Sequence, residues 1–195
     1  MRLEAMAMQF PDVTGHPNRI PFEGVLTTVD EPSTRAPSGA RGHRVILSSR
    51  AAKESLPSLL GMAIGFTPGY DGHDVRRKCG LITEADVVGR ELRVRGHIYG
   101  RDFPEMVKRL DKETQDSMGM SYELAEAQIE DVHAAIWLVT KAMFTGAAVL
   151  LREKAAYKAT SFRLRRNLCR DAGIAAVAMK RSTITEQKGY GALWK

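Results

Sequence analysis

Apolar and polar residues alternate along the segment RELRVRGHIYG. Leu92, Val94 and Ile98 fall on one side of an extended chain, and arginine, histidine and tyrosine side chains fall on the other. This pattern predicts a half-buried β-strand. Two further segments, RIPFEGVLTTVD (residues 19–30) and HRVILSS (residues 43–49), are rich in β-branched or aliphatic residues and predict strands as well.

The segment SMGMSYELAEA, residues 117–127, alternates in the same way and predicts another strand. Its apolar face carries Met118, Met120, Tyr122 and Leu124, and its other face carries Gly119, Ser121 and Glu123. Ser121 therefore lies in the middle of a predicted strand. It is either a hydrogen-bonded structural hydroxyl or a nucleophile held on a rigid element.

Helical spacing occurs in RDFPEMVKRLDKETQD, with Asp102 as the N-cap and a proline in the first turn. SSRAAKESLPSLLGMAIG also predicts a helix, capped by Ser49 and broken near Pro57 and Gly61. AAIWLVTKAMFTGAAVLL predicts one or two buried strands, although its alanines also permit a helix. Several strands with few helices indicate a mostly β, α+β fold, a barrel or sandwich with helices packed outside.

Charge divides the 195-residue chain unevenly. Residues 1–162 are neutral and long enough for one domain, whereas residues 163–195 carry eight basic and two acidic side chains. We expect this basic tail to form a helix followed by disorder, and to bind an acidic partner. The Pro-, Gly- and Ser-rich residues 30–42 predict a mobile loop.

Several classes of protein are disfavoured. No apolar run reaches the roughly 18 residues of a membrane helix, and the N-terminal residues lack the apolar centre of a signal peptide. Cys79 and Cys169 are far apart and predict neither a metal site nor a disulfide. We therefore expect a cytoplasmic protein without a cofactor.

A second chemical feature is TPGYDGHDVRRKCGLIT, in which His73 lies in a glycine-rich turn between Asp71 and Asp74. Such a histidine is either a surface residue that caps the turn or an exposed base with a pKa near neutrality. The carboxylates and His73 could also bind a metal, but no HxH or HxxxH spacing supports that alternative.

The order of these features resembles the prohead (capsid maturation) proteases of tailed bacteriophages, which are similar to the herpesvirus assemblins. The resemblance comprises GHD, a following Val/Ile strand and MGMS, and extends from about Ile20 to Ser161, with EGVL near its start and FTGAAVLLREKAAYKATS near its end. It implies a small antiparallel β-barrel surrounded by helices. It also implies that Ser121 is the nucleophile and His73 its general base, which agrees with the need of a serine hydroxyl for a neutral imidazole.

By the same resemblance, the chain is a serine endopeptidase, a hydrolase of virion assembly. It would cleave scaffold, capsid protein segments and itself inside the immature capsid, or prohead, in the host cytoplasm. The major capsid protein and scaffold would be its partners, and a homo-oligomer is expected. Gly119, beside Ser121, would leave room for the substrate backbone.

The third catalytic residue is not defined by the motifs. The family's pattern implies a carboxylate at the start of a later strand, where this chain has Ala135. Asp131 and His133 are the nearest candidates. A turn near residues 127–128 would bring His133 opposite Ser121, whereas a later turn would place neither candidate there. Both could also be part of a polar hairpin tip.

Two alternatives belong to other classes. The missing acid at Ala135 favours a catalytically inactive scaffold or capsid component that keeps the protease fold. The tail's arginines permit a nucleic-acid-binding module. However, the tail has no interleaved aromatic residues and the domain has no net positive charge, so nucleic-acid binding is disfavoured.

Overall fold

The computed structural model describes residues 16–112 and 117–165. In chain order its elements are β1 (Arg19–Thr28), β2 (Arg44–Leu47), α1 (Ser49–Ser55), a short 3₁₀ helix (Leu56–Leu59), β3 (Ala63–Gly65), β4 (Lys78–Val88), β5 (Glu91–Tyr99), α2 (Pro104–Lys112), β6 (Met118–Ile129), β7 (Ile136–Leu151), a second 3₁₀ turn (Arg152–Lys154) and β8 (Ser161–Leu164). The chain divides into one unit of residues 1–164 and a second unit of residues 165–195.

One mixed sheet contains all eight strands in the order β2-β7-β3-β4-β5-β1-β8, with β6 paired to β7 as well. The expected mostly β fold with helices is confirmed, but the expected closed antiparallel barrel is wrong. β2 and β3 both pair with β7 in parallel. Helix α1 lies between them in the chain, so that β3 can run in the same direction as β2. The sheet is consequently mixed and open.

β7 is the strand on which the sheet is organised. It has 16 residues, and its two halves pair on one side with β2 and β3 in turn. On its other side β6 runs antiparallel, from Met118 opposite Leu151 to Ile129 opposite Val139. The segment that could have been one strand, two strands or a helix is therefore one continuous strand.

The predicted apolar faces form the core. Leu92, Val94 and Ile98 of β5 are buried, as are Met118 and Met120 of β6. Each strand therefore buries the apolar side that its alternating pattern indicated.

The core also includes the last described strand. Phe22 of β1 stacks on Phe162 of β8 with ring centroids 4.9 Å apart, and both rings are buried. The predicted boundary at residue 162 falls inside β8, which continues to Leu164. The helix predicted for the basic tail does not begin at Arg163, because Arg163 and Leu164 belong to β8, and its residues from 166 onward lie outside the described residues.

Two local predictions need adjustment. Helix α1 is capped by Ser48, one residue before the predicted Ser49, because the Ser48 hydroxyl accepts a hydrogen bond from the Ala51 N–H at 3.1 Å. Residues 30–42 are irregular, as predicted, but the Ser33 N–H donates to the Val45 carbonyl at 2.8 Å. The Thr34 N–H donates to the Ala156 carbonyl at 2.8 Å, so the first part of the loop is tied to two other segments.

No helix among residues 16–112 and 117–165 is long and apolar enough to cross a membrane.

We predict that Phe162→Ala lowers the free energy of unfolding by about 3–5 kcal/mol, because it removes a buried ring from the core. The neighbouring Arg163→Ala is the matched control. Arg163 forms an exposed pair with Glu23, at 2.6 Å, so its loss should cost about 1 kcal/mol or less. Urea denaturation of both variants measures the difference, and equal effects would contradict the assignment of β8 to the core.

Candidate active site

His73 lies on the loop that connects β3 to β4, residues 66–77. The loop is closed at its base by the Phe66 N–H, which donates to the Arg77 carbonyl at 3.2 Å. It is also attached to the end of β7, since the Leu151 N–H donates to the Tyr70 carbonyl at 2.8 Å. These bonds give the loop a defined position over the sheet.

The two carboxylates beside His73 in sequence stabilise the loop's shape. Asp71 accepts a hydrogen bond from the Thr67 hydroxyl at 2.6 Å. Asp74 accepts one from the Arg76 N–H at 2.9 Å and forms ion pairs with the side chains of Arg76 and Arg77. Within residues 16–112 and 117–165, no cluster of three or more acidic, histidine or cysteine side chains could hold a metal ion.

The sheet beneath the loop consists of small residues. Ser121 of β6 pairs with Ala148 of β7, and Ala148 pairs in turn with Gly65 of β3, so the three residues face the same side. A Cβ atom at Gly65 would lie 3.1 Å from the Asp74 carbonyl oxygen, which shows that the loop lies on this side. The absence of large side chains lets the loop approach Ser121.

The structure brings His73 and Ser121 together. The Nε2 atom of His73 lies 3.1 Å from the Oγ atom of Ser121, within hydrogen-bonding distance, and the residues are 48 positions apart in sequence. Only 21% of the His73 side chain is exposed. A partly buried imidazole in contact with a serine hydroxyl is the arrangement required for general-base activation of that serine.

The surroundings favour the neutral form of His73. Burial lowers its pKa below the ordinary value of 6.5, the carboxylate of Glu123 raises the pKa, and the ammonium of Lys78 lowers it. The net shift is downward. At pH 7 the imidazole is therefore neutral, and Nε2 can accept the proton of the Ser121 hydroxyl when Nδ1 carries the ring proton.

Glu123 approaches the other nitrogen of the ring. Its Oε1 atom lies 3.7 Å from Nδ1 of His73, and 49% of its side chain is exposed. The alternating pattern had placed Glu123 on the same face as Ser121 without identifying it as a candidate. The missed signal is its separation of two residues from Ser121, which puts both side chains on one side of a strand.

Asp131 and His133 lie in the turn between β6 and β7. β6 continues to Ile129 and β7 begins at Ile136, so the chain turns back later than residues 127–128. The residue opposite Ser121 is Ala148, and His133 donates its backbone N–H to Asp131 at 2.8 Å. The later turn leaves both candidates at the hairpin tip, together with the exposed Ala135.

Gly119 does not provide the open space expected for a substrate backbone. A Cβ atom there would lie 2.6 Å from the Thr160 hydroxyl and 3.1 Å from the Cα atom of Arg152. The segment after β7 therefore fills this side of β6. Ser121 instead borders a small, mainly apolar cavity, whose other lining residues are Leu26, Pro37, Met120, Tyr122, Ala156 and Tyr157.

Comparisons with known proteins give similarity at the level of structure. No family model matches the chain, and no curated protein matches it. A KSHV protease, solved with a hexapeptide phosphonate inhibitor, is 12% identical with a TM-score of 0.46; the match covers 76% of this chain and 65% of that protease. The bacteriophage T4 capsid assembly protease gp21 is 10% identical with a TM-score of 0.43, over 65% of this chain and 80% of that one.

We predict that Lys78→Gln raises the pKa of His73, because it removes a positive charge that disfavours the imidazolium. The pKa of the wild-type ring should lie below 6.5. An NMR titration of the imidazole signals, assigned with a His73→Gln variant, measures both values. Lys53→Gln, an exposed lysine of α1, is the control, and a fall in the pKa with Lys78→Gln would refute the electrostatic account.

Proposed function

We propose that this chain is a serine endopeptidase in which Ser121 is the nucleophile and His73 the general base. The observation that carries the proposal is the 3.1 Å contact between His73 Nε2 and Ser121 Oγ. A structural serine would need only a nearby backbone partner, whereas this hydroxyl meets a partly buried imidazole on a loop tied to the same sheet.

The reaction proceeds through an acyl-enzyme. Oγ of Ser121 attacks the carbonyl carbon of the scissile peptide bond while its proton moves to Nε2 of His73. The imidazolium then protonates the departing amine, the C–N bond breaks, and the substrate's carbonyl carbon remains esterified to Ser121. A water molecule gives a proton to Nε2 of His73 and attacks the ester carbon. The bond between Oγ and this carbon then breaks, the imidazolium returns the proton to Oγ, and the carboxylic acid product leaves.

The substrate class rests on the motif order in the sequence, GHD followed by a Val/Ile strand and MGMS. It supports the cleavage of scaffold and major capsid protein segments, and of the chain itself, inside a prohead in the infected cell. A homo-oligomer belongs to the same proposal. The basic residues 163–195 would guide the protease to acidic scaffold or coat surfaces before they are removed by self-cleavage.

An inactive scaffold component with the same fold is the competing interpretation. Its support in the sequence was the absence of an acid at Ala135. The structure reduces that support, because the carboxylate of Glu123 faces His73 from a different position. The distinction between the two functions is a matter of measured activity.

We predict that the chain, co-expressed with its own capsid and scaffold proteins, produces specific truncations that disappear in Ser121→Ala and His73→Ala. Loss of either group should slow cleavage by at least about 10³-fold, since the two act as one unit. Intact-mass spectrometry of the assembled particles identifies the cleaved bonds. Intact masses in particles formed with the wild-type chain would support the inactive scaffold component instead.

The matched control is His43→Ala. His43 stacks on Trp137 near the beginning of β7, with ring centroids 4.5 Å apart, whereas Ser121 pairs with Ala148 near the end of that strand. This variant should leave the truncations unchanged. If it abolished them as completely as His73→Ala does, the loss would reflect damage to the fold and the proposed role of His73 would be withdrawn.

A further inference from the structure

We propose that Glu123 is the carboxylate that positions His73, and that Gly146 is required to seat it. This inference rests on the proposed endopeptidase function and adds the third member of its catalytic group. The acid would then come from the nucleophile's own strand, two residues after Ser121, and not from the turn that contains Asp131 and His133.

The two ring nitrogens of His73 meet two side chains of one strand. Ser121 and Glu123 are successive residues on the same face of β6, about 6.6 Å apart along the chain. Nε2 of His73 lies 3.1 Å from Ser121 Oγ, and Nδ1 lies 3.7 Å from Glu123 Oε1. The imidazole therefore lies between the hydroxyl and the carboxylate.

Gly146 provides the space for this carboxylate. It is the residue of β7 directly opposite Glu123. A Cβ atom at Gly146 would overlap Oε2 of Glu123 and would lie 3.2 Å from Cδ and 3.4 Å from Cβ of the same side chain. The three atoms nearest to this Cβ position thus all belong to Glu123. The Glu123 side chain occupies the space into which any residue other than glycine at position 146 would project.

Backbone conformation does not explain this glycine. The glycines with positive φ are Gly39, Gly42, Gly61 and Gly89 among residues 16–112 and 117–165, so Gly146 does not need the left-handed region. Glycine weakens the interior of a strand, and Gly146 lies within the 16-residue β7. A glycine inside a strand marks a bulge, a tight bend or the close approach of another group. The pairing of β6 with β7 shifts by one residue beside Gly146, and the Glu123 carboxylate lies against the position that a Cβ atom would occupy.

The other charged groups near His73 either lower its pKa or bind other residues. Lys78 of β4 acts on the ring in the opposite direction to Glu123. On the histidine's own loop, Asp71 is bonded to Thr67, and Asp74 is bonded to Arg76 and paired with Arg77. At 3.7 Å from Nδ1, Glu123 is therefore the carboxylate placed to stabilise the imidazolium electrostatically during attack.

The test measures the reaction of Ser121 with a fluorophosphonate probe, using the full chain co-expressed with its capsid and scaffold proteins. The probe's P–F bond breaks as the Oγ–P bond forms, so the rate reports the nucleophile without a known peptide substrate. Glu123→Gln should lower this rate by about 10- to 100-fold, less than the roughly 10⁴-fold of a buried triad aspartate, because water partly screens the half-exposed Glu123.

The pH profile separates positioning from a merely structural role. Glu123 raises the pKa of His73, so Glu123→Gln should move the acid limb of the rate profile to lower pH while reducing the plateau. Glu123→Asp keeps the charge and should restore part of the plateau rate. Glu130→Gln, an exposed glutamate in the β6–β7 turn, is the matched control and should retain the wild-type profile.

Gly146 is tested by a double-mutant cycle. Gly146→Ala should reduce the labelling rate about as much as Glu123→Gln, and the combined variant should be no slower than either single variant, because the methyl group acts by displacing the carboxylate. Circular dichroism and urea denaturation show whether each variant folds. If Gly146→Ala does not fold, the profiles of Glu123→Gln and Glu123→Asp decide the inference.

The outcomes distinguish the inference from the proposed function. Wild-type labelling that is lost in Ser121→Ala, together with an unchanged rate and profile in Glu123→Gln, would overturn the role of Glu123 and leave the endopeptidase in place. Equal labelling of wild type and Ser121→Ala would overturn the function itself. Additive losses in the Gly146→Ala and Glu123→Gln pair would show that Gly146 acts on something other than this carboxylate.

Discussion

The antiparallel pairing of β6 with β7 is the constraint on which the site depends. Its register puts Ser121 opposite Ala148 and Glu123 opposite Gly146, so each of these two side chains faces a residue with almost no side chain. Successive residues of a strand point to opposite faces, and a shift of one position would turn Ser121 into the core and bring Met120 out. The burial of Met118 and Met120 opposes that shift, and the hydrophobic core thereby fixes the face on which Ser121 lies.

The space above this ladder is made by small residues on two adjacent strands, β3 and β7. Gly65, Ala148 and Gly146 place no large side chain on this face of the sheet, and the β3–β4 loop packs against it. The loop's own carboxylates are occupied in holding its turns, as the bonds of Asp71 to Thr67 and of Asp74 to Arg76 show. The carboxylate that approaches Nδ1 of His73, at 3.7 Å, is that of Glu123 in the sheet.

The sequence contained the strands, the buried faces and the two residues that the structure brings into contact, Ser121 and His73, because alternation and motif order are local signals. Alternation also placed Glu123 beside Ser121. Its relation to Gly146 could not be predicted, since it depends on the register between β6 and β7, which includes irregularities between Glu123 and Ile129. The same register decides where Asp131 and His133 fall. The open sheet was missed for a similar reason, because the direction in which β2 and β3 meet β7 is not encoded in the pattern of any single strand.

The bond from the Leu151 N–H to the Tyr70 carbonyl has a consequence for precision. Through it the loop that carries the histidine takes its position from the end of β7, and the serine takes its position from the same strand through β6. The His73 loop and the strand that carries Ser121 are thus both attached to β7. When the sheet twists or bends thermally, they are carried together, and the gap between Nε2 and Oγ changes less than the position of either atom. In the proposed mechanism, this shared attachment to β7 limits variation in the distance over which the proton moves from Oγ to Nε2.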